Sequence, residues 1–148
     1  MPSPGEPAPD FEAPSTQGPL KLSSLRGRRV VLYFFPKAFT AGCTRELRRF
    51  AELYGQFRSL NAEVVGVSRD SVDTLRRFAA RYGAQFPLVS DEEMKVIGLY
   101  GVANERGTGA RRVTFVIDEG GVVRAVLEGL RRAEEHADKA LEALRSMG

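Results

Sequence analysis

The apolar residues of this chain fall into short runs that predict strands. Residues 29 to 36 form a continuous run rich in β-branched and aromatic side chains, which is typical of a central strand covered on both faces. Residues 62 to 68, 112 to 118 and 122 to 127 predict three further strands. The Glu-Gly-Gly sequence at 119 to 121 predicts a tight turn between the last two strands.

Four other segments repeat their apolar residues at intervals of three and four positions, which predicts amphipathic helices. The first runs from about 42 to 60, and the second runs from Ser71 to Tyr82 and stops at Gly83. A short third helix is predicted over 92 to 99 and a last one over about 133 to 147. The helices therefore separate the first strands of the chain from one another.

The order of these elements predicts the fold class. Strands that alternate with helices imply parallel pairing with right-handed crossover connections, and the final hairpin adds antiparallel strands. We therefore expect an α/β fold with a central mixed sheet and helices on both faces. Residues 88 to 90 are interpreted as the connection into the third helix. No repeat or linker interrupts the pattern, so residues 1 to 148 are predicted to form a single domain.

Charge and composition exclude several classes of partner. The net charge is +3, but the basic residues are scattered among acidic ones and no nucleic-acid-binding motif occurs, so no nucleic-acid partner is expected. The longest apolar stretch, residues 30 to 35, is far too short to cross a membrane. The first ten residues lack the pattern of a secretory signal, so a cytoplasmic location is expected.

The chain has a single cysteine, Cys43. Without a second thiol, neither an intramolecular disulfide nor a cysteine-rich metal site can form. A lone cysteine is often only a small buried apolar residue, but Cys43 falls at the start of the first predicted helix. The N–H groups of a first helical turn have no partner within the helix, and the helix dipole favours negative charge there. This position stabilises a thiolate and favours a reactive nucleophile.

Four residues near Cys43 in the sequence add to this interpretation. Pro36 ends the preceding strand and fixes the turn. Thr40 can place its hydroxyl beside the sulfur or act as a plain helix cap. Gly42 lets the backbone approach a ligand closely. Glu46, three residues after the cysteine, can act as a capping carboxylate or hold a positioning arginine.

Together these residues resemble a known family. Pro36, Thr40 and Cys43 are spaced as P-x-x-x-T-x-x-C, which is similar to the active-site signature of the peroxiredoxins. The continuation C-T-x-E resembles the Q-type subgroup, also called bacterioferritin comigratory proteins. Further matching strings follow in order along nearly the whole chain: APDF from residue 8, GVSRDS from 66, FPLVSD from 86, YGV from 100 and RVTFVID from 112. The resemblance implies a thioredoxin-like fold and a thiol-dependent peroxidase that needs no cofactor or metal.

The resemblance also implies a role for each matching residue. Cys43 would be the peroxidatic cysteine, and Thr40 would hydrogen-bond the bound hydroperoxide. Pro36 would shield the thiolate from water. The backbone N–H groups of Gly42 and Cys43 would polarise the peroxide oxygens. Arg112 would lie against the thiolate, and it is chosen over its neighbour from the register of the R-V-T-F string.

The chain departs from many Q-type members at Arg48, where a resolving cysteine is often found. The resemblance therefore implies a one-cysteine enzyme, in which Cys43 becomes a sulfenic acid. An external thiol such as thioredoxin or glutathione would then reduce it. The subgroup includes both monomers and homodimers, and either state is compatible with the sequence.

Three alternative functions on the same fold have to be weighed. A non-catalytic redox sensor would use oxidation of Cys43 to join a partner through a mixed disulfide. A disulfide oxidoreductase of the C-x-x-C type is disfavoured because Thr40 occupies the first cysteine position. A copper-binding protein would need a second thiol near Cys43, and the single histidine, His136, is interpreted as an ordinary surface residue of the last helix.

Overall fold

Seven strands and four α-helices make up the computed structural model, which describes residues 1–148. The strands are β1 (Glu12–Ala13), β2 (Leu20–Lys21), β3 (Arg29–Phe34), β4 (Ala62–Ser68), β5 (Leu88–Ser90), β6 (Val113–Ile117) and β7 (Val123–Leu127). The helices are α1 (Ala41–Ser59), α2 (Val72–Tyr82), α3 (Lys95–Leu99) and α4 (Glu135–Ser146). None of these helices has the length and apolar character needed to span a bilayer.

A five-stranded sheet in the order β5-β4-β3-β6-β7 forms the centre of the fold, and β1 and β2 pair separately. β3 pairs parallel with β4, which in turn pairs parallel with β5. On its other side β3 pairs antiparallel with β6, and β6 with β7. The mixed sheet confirms the predicted α/β class, and its parallel half has the expected β-helix-β connections.

Two apolar cores cover the two faces of the sheet. One core takes Val31 and Tyr33 from β3 and packs them against α1, α2 and α4. The other takes Val30, Leu32 and Phe34 and packs them against α3 and the N-terminal segment. Because both faces are covered, every residue of β3 is buried, which explains its continuous apolar run.

The structure differs from the sequence-based prediction mainly at short elements. Residues 88 to 90 are not a simple connection, because they form the edge strand β5 and pair with Gly66 to Ser68 of β4. A run of three residues carries too little periodicity to be recognised as a strand. β6 begins at Val113 rather than at 112, so Arg112 lies just ahead of the strand.

Candidate active site

Cys43 lies in the first turn of α1, two residues after the helix begins. The loop before it follows β3, so the helix begins near the carboxyl end of the central strand. The residue is only 2% exposed and packs in the core with Phe35 and Leu47. Burial alone would fit a purely structural cysteine, so the polar groups around the sulfur decide its role.

Arg112 brings a positive charge to this buried sulfur. Its Nη2 lies 3.5 Å from Sγ of Cys43, and its Nη1 donates a hydrogen bond of 2.6 Å to Oε1 of Glu46. The sheet explains this meeting, since Val113 of β6 pairs with Phe34 at the end of β3. Arg112 therefore lies near the start of α1. Its guanidinium bridges the thiol of Cys43 and the carboxyl group of Glu46.

The neighbouring arginine points elsewhere. Nε of Arg111 donates to Oε2 of Glu128 at 2.8 Å, and its Nη1 donates to the carbonyl of Ala103 at 2.8 Å. Consecutive residues of extended chain send their side chains to opposite sides. Of the two arginines considered from the sequence, the structure places Arg112 at the cysteine.

Gly42 makes room for this arrangement. A Cβ atom at this position would lie 3.1 Å from Nη2 of Arg112, which is closer than the guanidinium tolerates without shifting. The sequence predicted that the glycine admits a ligand to the backbone. In the structure, Gly42 leaves room for the guanidinium of Arg112 beside the sulfur, and the approach of a ligand stays a prediction.

Glu46 is fully buried beside these groups. Burial raises the pKa of Glu46 to about 8, although the charge and hydrogen bond of Arg112 act in the opposite direction. Its Oε2 has no hydrogen-bond partner and lies 4.0 Å from Nδ1 of His136. Of the two roles considered for Glu46, these contacts correspond to the holder of Arg112 rather than to a capping carboxylate.

His136 is not a surface residue, which corrects the prediction made for it. It is 2% exposed, and its Nδ1 lies 2.8 Å from Oγ1 of Thr114 on β6. Burial, followed by the nearby charge of Arg112, lowers the pKa of His136 to about 4, so the ring is neutral near pH 7. The sequence held a signal for this burial: the histidine lies three residues after Ala133 and four before Ala140, on the apolar face of α4.

Thr40 occupies the position before α1, yet its side chain does not cap the helix. Its Oγ1 donates instead to the carbonyl of Lys37 at 2.6 Å. A cap at this position would have engaged an N–H group of Gly42 or Cys43. Those two donors are therefore left free, and the threonine oxygen, having used its only proton, can accept a hydrogen bond from a bound molecule.

Asp70 is a residue that the sequence analysis did not single out. Its Oδ2 accepts hydrogen bonds from the N–H of Ala38 at 2.9 Å and from the hydroxyl of Ser68 at 2.7 Å. Its carbonyl accepts a bond of 2.6 Å from the hydroxyl of Ser90. The ends of β4 and β5 thus hold the loop that leads to the cysteine. The only sequence signal was its place in the GVSRDS string, directly after a strand.

The loop that Asp70 holds is exposed at two further positions. Pro36 follows β3, and its ring is exposed at the rim of an open polar cavity that also includes Lys37 and Arg69. Phe39 adopts a φ of 68° and is 46% exposed, with its ring 5.1 Å from that of Phe78. A positive φ is strained for a bulky residue, so the loop conformation is imposed by its surroundings.

The site contains no metal-binding cluster. No group of three or more His, Cys, Asp or Glu side chains is placed to hold a metal ion. The chemistry that the arrangement supports is that of a buried sulfur nucleophile, supplied with a cation, two backbone donors and a hydroxyl acceptor.

Comparison with known proteins shows similarity over almost the whole chain. Residues 4–126 match the family model described as the AhpC/TSA family. The chain is 39% identical over 145 residues to chloroplastic peroxiredoxin Q of Sedum lineare, covering 97% of this chain and 78% of that protein. It is also 39% identical over 129 residues to the putative peroxiredoxin bcp of Coxiella burnetii, covering 82% and 85% of the two chains.

Solved structures show the same similarity. The crystal structure of peroxidoxin BcpB from Mycobacterium tuberculosis matches with a TM-score of 0.93 and 37% identity, over 100% of this chain and 99% of that one. The bacterioferritin comigratory protein of Xanthomonas campestris, solved in a study of its alkyl peroxide reduction activity, matches with a TM-score of 0.85 and 33% identity, over 93% and 91%.

Proposed function

The chain belongs to the AhpC/TSA family, as a relative of the peroxiredoxin Q and bcp proteins, and from that premise we propose how its active site works with one cysteine. It has the thioredoxin-like fold of its structural neighbours and is a thiol-dependent peroxidase. In the proposed mechanism, the Cys43 thiolate reduces hydrogen peroxide or an organic hydroperoxide. The observation that carries the proposal is the contact of 3.5 Å between Sγ and Nη2 of Arg112 at the start of a helix.

The peroxide is bound by groups that surround the sulfur. The free N–H groups of Gly42 and Cys43 donate to its oxygens, since α1 has no side-chain cap. The hydroxyl oxygen of Thr40 accepts a hydrogen bond from the O–H group of the peroxide, because the hydroxyl donates its own hydrogen to the carbonyl oxygen of Lys37. Pro36, on the same loop, limits the access of water. The peroxide is thereby aligned with one oxygen facing Sγ.

The reaction is a displacement at that oxygen. A bond forms between sulfur and the nearer oxygen while the O–O bond breaks, and the electron pair of that bond leaves with the farther oxygen. The leaving oxygen takes up a proton and departs as water or an alcohol, while Cys43 becomes a sulfenic acid. Negative charge moves from sulfur to the leaving oxygen, and donors already in place, including Arg112, stabilise it without reorganisation.

A second molecule has to complete the cycle. Cys43 is the only cysteine, so the sulfenic acid is reduced by an external thiol of the thioredoxin or glutathione kind. The thiol attacks the sulfur of the sulfenic acid, the S–O bond breaks and water leaves, and the resulting mixed disulfide is resolved by a further thiol. Because Sγ is almost completely buried, the reductant reaches it only when the start of α1 moves away from the core. A cytoplasmic location fits this scheme, since thiols are kept reduced there.

Rapid mixing of the reduced protein with peroxide tests the proposal. We expect wild type to consume hydrogen peroxide and an organic hydroperoxide far faster than free cysteine does, and Cys43→Ser to lose this reaction. Mass spectrometry after one equivalent of peroxide is expected to show one added oxygen on Cys43. A wild-type rate no greater than that of free cysteine would contradict the assignment.

Turnover separates the peroxidase from the redox-sensor alternative. A panel of thiol reductants, including thioredoxin and glutathione, is supplied with excess peroxide. A peroxidase turns over many times with at least one of them. A sensor is oxidised once and stops, or accumulates as a mixed disulfide with its partner.

A further inference from the structure

We propose that Glu46 stores the proton that peroxide reduction consumes, on the buried oxygen that faces His136. The inference rests on the proposed function, because the proton is used in the reaction of Cys43. It goes beyond that function by giving the buried carboxyl group a part in the chemistry.

Cys43 and Glu46 are two buried acids that share one cation. They lie three residues apart on the same face of α1, and Arg112 contacts both, at 3.5 Å from Sγ and 2.6 Å from Oε1. If both acids were ionised, two buried negative charges would face a single positive charge. An uncompensated buried charge is strongly unfavourable. A thiolate beside a neutral carboxyl group leaves no such charge, so the pair retains one proton.

The second carboxyl oxygen shows where this proton is held. Oε2 of Glu46 is buried without any hydrogen-bond donor, a setting in which an ionised oxygen loses its hydration without compensation. It lies 4.0 Å from Nδ1 of His136, whose own hydrogen bond joins it to Thr114. Burial lowers the pKa of His136 to about 4, although Glu135 and Glu128 act to raise it. The imidazole therefore brings no positive charge to Oε2.

The remaining titratable groups around Glu46 favour the same state. Cys43, on its own helix, is a second acid. Tyr33 on β3 is buried, and burial together with the charges of Glu46 and Cys43 raises its pKa well above the usual range, so it stays neutral. Arg112, ahead of β6, alone supplies positive charge, and burial raises the pKa of Glu46 to about 8 in spite of it. At neutral pH the carboxyl group is protonated.

The proton held by Glu46 is the one that the departing oxygen needs, so the reaction balances within the site. The thiolate takes one oxygen from the hydroperoxide, and the departing alkoxide or hydroxide needs one proton. Oxidation also removes the negative charge from sulfur, which leaves Arg112 with Glu46 as its remaining acidic partner, and Glu46 ionises. In sum, thiolate, carboxyl group and hydroperoxide become sulfenic acid, carboxylate and alcohol or water. No proton is drawn from solution.

Proton uptake during a single oxidation tests the proposal. Reduced protein is mixed with one equivalent of hydrogen peroxide near neutral pH, in weak buffer with an indicator dye. We expect Glu46→Gln to take up one more proton per oxidised Cys43 than wild type. Glu52→Gln is the matched control, because the same substitution is made on the same helix at an exposed carboxylate, and it is expected to behave as wild type. Equal uptake by wild type and Glu46→Gln overturns the proposal.

Infrared spectroscopy of the wild-type protein gives a test that needs no variant. The oxidised-minus-reduced spectrum is expected to show the loss of a protonated-carboxyl C=O band and the gain of carboxylate bands. A spectrum without this change overturns the proposal even if Glu46→Gln does not fold. Failure of the proposed function is distinguishable, because the wild-type protein would then not consume the peroxide at all.

Discussion

Arg112 reaches two buried acids, through Nη2 to Cys43 and through Nη1 to Glu46. Its removal by Arg112→Ala is expected to slow the reaction with peroxide about 10- to 100-fold, since a hydrogen bond to a charged group is worth about 1.5–3 kcal/mol. Stopped-flow rates with hydrogen peroxide measure the effect. Arg111→Ala is the control, because that side chain pairs with Glu128 instead.

Substitutions of Thr40 test whether its hydroxyl binds the peroxide or only stabilises the start of α1. Thr40→Val keeps the shape and removes the acceptor, so we expect a loss of about 2- to 10-fold in the rate with peroxide, largely restored by Thr40→Ser. Stability in urea is expected to change little, because the side chain does not cap α1. A cap would cost about 1 kcal/mol when removed. A loss of that size with an unchanged rate would contradict the role proposed here.

Elements with strong periodicity were predictable from the sequence almost to the residue. β4 lies where the pattern places it, α1 differs from the prediction by one residue at each end, and α2 differs by one residue at its start. These segments are long enough to show their period, and Gly83 marks the end of α2 with a φ of 72°. β5, with three residues, is defined by its pairing with β4 and not by its own composition. Short edge strands therefore cannot be recognised from hydrophobic periodicity alone.

The site was predictable from the residues alone where they are close in sequence, since Thr40, Gly42 and Cys43 lie within one loop and one helical turn. Arg112 was identified only through the family resemblance, and the antiparallel pairing of β6 with β3 explains how it reaches the cysteine. His136 reaches the site only through the packing of α4 on the sheet. Such a long-range contact can be anticipated from the sequence only if His136 is recognised as part of the apolar face of α4.

The loop before α1 is an element whose shape depends on Asp70. Asp70→Ala removes the acceptor for the N–H of Ala38 and for the hydroxyl of Ser68. Leaving these donors without a partner is expected to cost about 1–3 kcal/mol in the free energy of unfolding and to slow the peroxide reaction, because Thr40 loses its fixed position. Urea unfolding and stopped-flow rates provide the measurement. The exposed Asp73 gives the control, and Asp73→Ala is expected to leave the rate unchanged.

On the scale of the whole molecule, the site lies where two helices pack side by side on one face of the sheet. α1 supplies the thiol and the carboxyl group, the sheet supplies Arg112 and Thr114, and α4 closes the cluster with His136. These polar groups are enclosed by one of the two apolar cores. The protonation of the cluster is therefore coupled to folding, because unfolding returns each group to water.

Two groups of the cluster give opposite dependences of stability on pH. The pKa of Glu46 rises on folding from 4.5 to about 8, so between these values only the folded protein holds its proton and stability falls as the pH rises. The pKa of His136 falls from 6.5 to about 4, so between these values only the unfolded protein holds its proton and stability rises with pH. The two slopes cancel between about 4.5 and 6.5, and a net decrease is left from about 6.5 to 8.

Glu46→Gln isolates one of these slopes, because His136 contributes to both proteins alike. The stability of wild type relative to Glu46→Gln is expected to be highest below the unfolded pKa of 4.5 and to decline until the pH passes about 8. This difference in the free energy of unfolding changes by at most about 1.4 kcal/mol per pH unit. Urea unfolding of the reduced proteins across this pH range measures the difference, and Glu52→Gln is expected to parallel wild type. A difference between wild type and Glu46→Gln that stays constant with pH would mean that Glu46 has the same affinity for its proton in both states. The buried carboxyl group would then not be the proton store of this site.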